Sequence, residues 1–146
     1  TVATTFQITF DASSPRMLSA FWATALGYRL DPPPPGHDSW ESFLGSIDVP
    51  EERWDDASAI SDPDGIGPRL FFQKVPEGKT AKNRVHLDVN AGHGITDSEE
   101  RWRAVTERVQ QLVAVGASIV EERRNDQFGD HWMVMADPDG NEFCVQ

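Results

Sequence analysis

The chain has 146 residues, of which 38% are hydrophobic and 25% charged, with a formal net charge of −11 and a single cysteine. This length predicts one globular domain, and a lone Cys144 excludes a disulfide framework and a cysteine-rich zinc site. No apolar run approaches the length of a membrane span, and no signal-peptide pattern begins the chain. The sequence therefore predicts a soluble cytoplasmic protein with no membrane partner. The net negative charge disfavours nucleic-acid binding, because phosphate contacts need a basic surface.

The charge is unevenly distributed along the chain. Residues 69–84, called here the basic segment, carry a net charge of +4, whereas the remaining residues carry −15. Such a segment is either a solvated turn rich in lysine or a local cationic patch that attracts an anionic ligand.

The first half of the chain begins with a strand pattern. Residues 5–10 alternate strictly, which predicts a strand with Phe6, Ile8 and Phe10 on one side. Ser14-Pro15 supplies a cap and a first-turn proline for a helix that places Met17 on its apolar stripe and ends at Gly27. The next predicted elements are a short strand at 28–30, a proline-rich loop at 31–37, a short helix at 39–47, a strand at 57–61, an Asp-Pro-Asp-Gly turn at 62–65 and a strand at 69–75.

The second half repeats this order. Residues 84–90 predict a strand with His86 and Asp88 on the polar side and Val85 on the apolar side. Thr96 and Glu99 form a capping box that opens the longest helix, which Gly116 closes. The final predicted elements are strands at 118–123, 131–136 and 142–146, with an Asp-Pro-Asp-Gly turn at 137–140.

The two halves therefore form an internal repeat. Residues 67–73 match residues 140–146, and each half reads as a βαβββ module. The predicted fold class is α+β, with helices packed on one face of each sheet. Cys144 lies on the same predicted face as Glu142, where a small buried thiol is commoner than a reactive one. Equivalent positions on the polar faces, all predicted to point into a shared cavity, are occupied by Gln7, Arg69, His86 and Glu142.

Three segments resemble one known superfamily. They are Gln7-Ile-Thr-Phe-Asp, Arg84-Val-His86-Leu-Asp and Asp137-Pro-Asp-Gly-Asn-Glu142-Phe, and they resemble the vicinal oxygen chelate superfamily of glyoxalases, extradiol dioxygenases and bleomycin-resistance proteins, in its glyoxalase-like branch. The resemblance implies one domain over residues 1–146, with modules at about 4–76 and 83–146. It also implies a curved mixed sheet around a cavity, a homodimer and, in many members, a divalent metal.

The resemblance also implies a metal site. It assigns Gln7, His86 and Glu142 as ligands of Zn, Ni, Mn or Fe, with Glu142 as the catalytic residue of a glyoxalase-type isomerase or lyase. Gln7 makes a dioxygenase less favoured. Arg69 departs from the family pattern, because a guanidinium cannot ligate a metal. Three interpretations stay open: a functional metal, an Arg69–Glu142 ion pair with His86 hydrogen-bonded nearby, and a metal-free ligand site.

The predicted function is to act on or bind a small carbonyl-bearing or anionic molecule in the cavity. The alternative is a metal-free protein that binds or sequesters a small molecule, as an antibiotic-resistance protein does. Aromatic residues outside the helix stripes favour an aromatic-lined pocket. The predicted ligand-binding residues are Arg69, Arg84, Trp40, Trp54, Phe71 and His131.

Overall fold

A computed structural model of the protein describes residues 2–146. The chain divides into two compact units, the first ending at Gly78 and the second spanning Lys79–Gln146. Each unit contains a four-stranded mixed sheet and one long helix. The predicted α+β class with two tandem modules is therefore confirmed.

The first unit follows the predicted element order. Its sheet has the order β1-β4-β3-β2, in which β1 runs parallel to β4 and the other neighbours are antiparallel. Ser14 caps α1 by accepting from Met17 N, and Gly27 ends it in the left-handed conformation at φ 70°. The elements are β1 Ile8–Ala12, α1 Pro15–Leu26, β2 Arg29–Leu30, α2 Trp40–Ser46, a 3-10 turn Glu51–Arg53, β3 Ala57–Ser61 and β4 Leu70–Lys74.

The core of the first unit lies between α1 and strands β3 and β4. Trp22 of α1 meets the Phe10 ring edge to face at 5.4 Å between centroids. Phe72 of β4 is fully buried. Two predicted members of the apolar faces are instead exposed, Phe6 at 69% and Met17 at 67%. The predictions for these two side chains were wrong.

The second unit repeats the same topology. Its sheet order is β5-β8-β7-β6, with β5 parallel to β8 and a register shift in β6 between Ile119 and Glu121. Asp97 caps the longest helix by accepting from Glu100 N, so the predicted cap at Thr96 lies one residue too early. The elements are β5 Asp88–Val89, α3 Ser98–Ala114, β6 Ser118–Asn125, β7 Asp130–Ala136 and β8 Glu142–Val145.

The apolar side of α3 covers one face of the second sheet. Val105, Val109 and Leu112 are buried there together with Met135 and Phe143. The opposite side of the helix is exposed and rich in charged residues. Within residues 2–146, no helix has the length and apolar character needed to cross a bilayer.

Two predicted strands begin later in the structure than in the prediction, and equivalent turns precede the strands with which they pair. Gly67 N donates to Asp62 Oδ2 at 2.8 Å, so the chain before β4 is a turn and gives the segment before Ile8 no strand to pair with. Asn141 N likewise donates to Asp137 Oδ1 at 2.9 Å, just before β8. The strand predicted at 84–90 is reduced to Asp88–Val89, and Val85 is 80% exposed.

The strand register confirms the internal repeat. Thr9 pairs with Phe71 across β1 and β4, and Asp88 pairs with Cys144 across β5 and β8. Residues 67–73 and 140–146 therefore occupy equivalent places. The equivalent pairs are Gln7 and His86, Thr9 and Asp88, Arg69 and Glu142, and Phe71 and Cys144.

Candidate functional site

Arg69 is the centre of a polar cluster in the first unit. Its Nη1 donates to Gln7 Oε1 at 2.8 Å, and its Nε forms an ion pair with Asp31 Oδ2 at 2.8 Å. The guanidinium carbon lies 5.6 Å from the centroid of the Phe71 ring, within the range of a cation–π contact. Arg69 therefore already has an acidic partner within its own unit.

The two predicted tryptophans of this unit have different roles. Trp40 Nε1 donates to the Asp31 carbonyl at 2.8 Å, which brings Trp40 to the residue that pairs with Arg69. Trp54 Nε1 donates to the Val49 carbonyl at 2.9 Å, in the loop after α2. Asp31 thus contacts both Arg69 and Trp40, whereas Trp54 bonds to the backbone of a loop.

In the second unit, Glu142 accepts hydrogen bonds at the start of β8. Its Oε2 accepts from Asn83 N at 2.9 Å and lies 3.2 Å from Lys79 Nζ. The Asn83 N–H is the main cause that lowers the pKa of Glu142 to about 2; burial opposes it, and the backbone N–H of Glu142 and then Lys79 lower the pKa further. A carboxylate with so low a pKa is a weak general base, because proton transfer is most efficient when the pKa lies near the working pH.

A second group of metal-ligating side chains lies on β5, on β8 and just before β5. His86 Nε2 is 3.4 Å from Asp88 Oδ1, and one donor atom from each of His86, Asp88 and Cys144 lies within 4.8 Å of the others. Burial is the main cause that raises the pKa of the Cys144 thiol, and the neighbouring Asp88 raises it further. Both effects favour the protonated form of the Cys144 thiol.

These three residues line a cleft of about 600 Å³ formed by residues of the second unit alone. We call it the second-unit cleft. Besides His86, Asp88 and Cys144, its lining includes His93, Arg101, Phe128, His131 and Trp132. The cleft thus combines nitrogen, oxygen and sulfur donors with two aromatic side chains and one guanidinium.

Two side chains of the second-unit cleft are held in place by neighbours. His131 Nε2 lies 2.6 Å from Glu122 Oε1, and its ring stacks on Trp102 with centroids 3.3 Å apart. Arg101 Nη1 donates to the Ile95 carbonyl at 3.3 Å. Its aliphatic stem lies against Gly92, where an added Cβ would collide with Arg101 Cγ. The cleft therefore has a positioned imidazole and a positioned guanidinium.

Two members of the predicted ligand set Gln7, His86 and Glu142 already contact cationic side chains, one in each unit. The amide oxygen of Gln7 accepts from Arg69, and the carboxylate of Glu142 accepts from Lys79 and a backbone N–H. Neither oxygen fits a metal as it is now arranged, because each already contacts a cationic side chain. That ligand set stays a prediction, and it requires both cationic side chains to move.

Several partners of the predicted site residues were missed by sequence reasoning. Asp31 and Asn83 contribute through loop conformation, for which the sequence carries no periodic signal. Lys79 lies in the basic segment, so the sequence shows its charge but does not identify its acceptor. Asp88 was placed on the same face as His86 by alternation, which was the available signal for their proximity. Arg84, predicted to bind ligand, is exposed.

Comparison with known proteins decides the family. The model of the family described as "Glyoxalase-like domain" matches residues 7–146. The chain belongs to this family. The resemblance to the vicinal oxygen chelate superfamily is thereby confirmed. A search of curated protein sequences finds no match.

Solved structures show the same fold at low sequence identity. A glyoxalase/bleomycin resistance protein/dioxygenase family enzyme from Burkholderia phytofirmans is 15% identical, with a TM-score of 0.61, and the match covers 95% of this chain and 94% of that one. A mutant of the fosfomycin resistance protein FosX from Listeria monocytogenes, complexed with Mn(II) and 1S,2S-dihydroxypropylphosphonic acid, is 14% identical with a TM-score of 0.62. That match covers 100% of this chain and 90% of that one. At these identities the likeness shows the fold alone.

Proposed function

We propose that the protein binds a small anionic or carbonyl-bearing molecule in the second-unit cleft. The observation that carries this proposal is the cleft itself, whose volume of about 600 Å³ suits a small organic ligand. Family membership supports it at the level of small-molecule binding or modification. One of the solved relatives, FosX, is described with a phosphonic acid bound.

The lining of the cleft favours such a ligand chemically. A guanidinium offers paired N–H donors to a carboxylate, a phosphonate or a carbonyl oxygen, and Arg101 is held in position by Ile95 and Gly92. Trp132 and Phe128 supply apolar surface for the rest of the molecule. A polar head beside Arg101 and an apolar body against the aromatic rings is the arrangement we infer.

Binding is tested by tryptophan fluorescence with three probes: phenylphosphonate, the unreactive ketone 4-phenyl-2-butanone and the neutral benzyl alcohol. Trp132 lines the cleft, and Trp102 stacks on His131, so occupancy alters the environment of both indoles. The informative pair of variants is Arg101→Ala and Arg103→Ala, because both residues lie on α3 and only Arg101 lines the cleft.

We expect saturable binding of phenylphosphonate or 4-phenyl-2-butanone and weaker binding of benzyl alcohol. Arg101→Ala should weaken binding of the anionic probe at least about tenfold, since a charge-assisted hydrogen bond contributes about 1.5 to 3 kcal/mol. Arg103→Ala should leave the affinity unchanged. The proposal fails if none of the probes gives a saturable change, or if both arginine variants weaken binding equally.

A second candidate is metal-assisted isomerase or lyase chemistry of the glyoxalase type. The presence of Mn(II) in the FosX structure favours it. In this chain it would employ Gln7, His86 and Glu142, and Glu142 would have to lose its Lys79 contact to become a stronger base. Lys79→Met tests this candidate, because it should strengthen metal binding only if Glu142 is a ligand.

Two further predictions from the sequence concern the oligomeric state and the cellular location of the protein. We propose a homodimer, which rests on the resemblance and is tested by light scattering. We also propose a cytoplasmic location, which fractionation of the source cells would test. Neither is needed for the ligand-binding proposal.

A further inference from the structure

We propose that the second unit alone forms a transition-metal site, suited to Zn²⁺, from His86 Nε2, Asp88 Oδ1 and Cys144 Sγ. This site differs from the set implied by the family resemblance and shares only His86 with it. It does not depend on the identity of the organic ligand proposed above, since metal binding is measured without one.

Strand pairing places two of the three donors together, and the third lies two residues before one of them. Asp88 and Cys144 are register partners on parallel strands, so their side chains project from the same face of the sheet. The chain is tied there by the bond from Cys144 N to the Leu87 carbonyl at 3.0 Å. His86 lies two residues before Asp88, and all three side chains line the second-unit cleft. The sheet therefore brings Asp88 and Cys144 together, and His86 reaches them from the segment just before β5.

The spacing of the donors suits a four-coordinate ion. Ligand atoms about 2.0 to 2.3 Å from a tetrahedral zinc lie roughly 3.5 Å from one another. His86 Nε2 and Asp88 Oδ1 are already 3.4 Å apart, and every pair in the group is within 4.8 Å. Small side-chain rotations bring the third donor into range.

The chemistry of the donors selects the kind of metal. An imidazole, a carboxylate and a thiolate form a mixed N/O/S set that suits zinc and other late transition metals, whereas Mg²⁺ and Ca²⁺ prefer oxygen donors only. The thiolate and the carboxylate together balance the charge of a divalent ion. Three protein donors leave one position of a tetrahedral ion for water or a ligand in the cleft, as in catalytic rather than structural zinc sites.

Two cationic side chains oppose the ion. Lys82 and Arg123 lie close enough to Cys144 to act on its charge. The two anionic donors, together with the Asp130 carboxylate in the cleft lining, counter these charges. In contrast to Glu142, neither Cys144 nor Asp88 accepts a hydrogen bond from a lysine in the structure of residues 2–146.

The test is titration of tag-free, chelator-treated protein with Co²⁺, followed by absorption, and with Zn²⁺, followed by calorimetry and thermal denaturation. A thiolate bound to Co²⁺ gives a near-ultraviolet charge-transfer band, which neither carboxylate nor imidazole ligation produces. The variants are Cys144→Ser, Asp88→Asn and, on the same strand as Cys144, Glu142→Gln, which removes a carboxylate of the ligand set implied by the family and so distinguishes the two sets. Asp88 is partly exposed, so Asp88→Asn keeps the test informative if Cys144→Ser fails to fold.

We expect one Co²⁺ per chain with the thiolate band, and a rise in melting temperature on adding Zn²⁺. Cys144→Ser should abolish the band, Asp88→Asn should weaken affinity at least about tenfold, and Glu142→Gln should retain both. The proposal is overturned if wild type shows no saturable band. It is also overturned if Glu142→Gln abolishes metal binding while the other two variants retain it, because the ion would then occupy the set implied by the family.

Discussion

The two units share a backbone plan but differ in the side chains at equivalent positions. In the first unit, Gln7 Nε2 lies 3.4 Å from Thr9 Oγ1. In the second, His86 Nε2 lies 3.4 Å from Asp88 Oδ1, at the equivalent positions. The spacing is the same, but only the second pair combines an imidazole with a carboxylate.

The neighbouring strand completes the contrast. Phe71 lies beneath the Arg69 guanidinium, whereas Cys144 at the equivalent position lines a cleft. The first unit thus satisfies its polar groups internally through Arg69, Gln7 and Asp31, and the second presents donors to a cavity. A repeated fold fixes where side chains emerge, and the residue types decide which copy carries chemistry.

The largest expected effect compares the cores of the two units. Leu70 and Phe143 occupy equivalent buried positions, with 1% and 0% exposure. Phe143→Ala should lower the free energy of unfolding by about 3 to 5 kcal/mol and Leu70→Ala by about 2 to 5 kcal/mol, because each leaves a cavity. Urea denaturation followed by circular dichroism measures both. A loss below about 1 kcal/mol for either would mean that the two sheets are not equally well packed.

A smaller effect compares the two helix caps. Ser14 accepts from Met17 N and also donates to Asp55 Oδ2 at 2.6 Å, whereas Asp97 accepts from Glu100 N at 2.9 Å. Ser14→Ala should therefore cost about 1 to 2 kcal/mol and Asp97→Ala about 1 kcal/mol. Thermal denaturation of the two variants measures these losses of stability and ranks them. The reverse order would show that the Asp55 contact contributes nothing to stability.

The smallest effect is the acid sensitivity of Glu142, which has Arg69 as its equivalent in the first unit. Because its folded pKa is lowered to about 2, its ionised form stabilises the fold above its ordinary pKa of 4.5. That contribution is lost as the pH falls toward 2. Glu142→Gln should flatten the fall in stability between about pH 5 and pH 2.

Lys79→Met serves as the graded control for Glu142→Gln. It should reduce the acid sensitivity only in part, because the Asn83 N–H, the larger cause of the lowered pKa, remains. Urea midpoints measured across this pH range check both variants. If the wild type and Glu142→Gln lose stability in parallel, Glu142 is not stabilised in its charged form.

Much of the fold could be predicted because its signals are local. The Ser14-Pro15 start and Gly27 end of α1 follow from capping and backbone preferences that nearby residues alone determine. Strand β3 is found at 57–61, as predicted. The repeat was also visible, since residues 67–73 and 140–146 align without a gap.

The errors arise where strand formation depends on a distant partner. The alternation around Phe6 and around Val85 satisfies the strand pattern, yet both segments face the equivalent turns closed by Asp62 and Asp137. Alternation records which side a residue would face, not whether a partner strand is present. Only the register across the sheet decides that.

The prediction of the site was incomplete for the same reason, because several of its contacts join residues that are far apart in the sequence. Alternation placed His86 with Asp88, and Glu142 with Cys144, on single faces. It could not show that Arg69 pairs with Asp31, which lies at the start of a proline-rich loop, or that Lys79 reaches Glu142. These contacts depend on loop paths, which carry no periodic signal.

Strands β2 and β6 each lie at one edge of a sheet, and their features bear on aggregation at high protein concentration. β2 has only two residues, and β6 combines the register shift after Ile119 with the charged run Glu121–Arg124. Short edges, irregular edges and charged edges are poor templates for adding another strand. The charged run also directly follows the apolar pair Ile119 and Val120, which is half exposed. We therefore expect the β2 edge of the first sheet and the β6 edge of the second sheet to resist the growth of intermolecular β-aggregates.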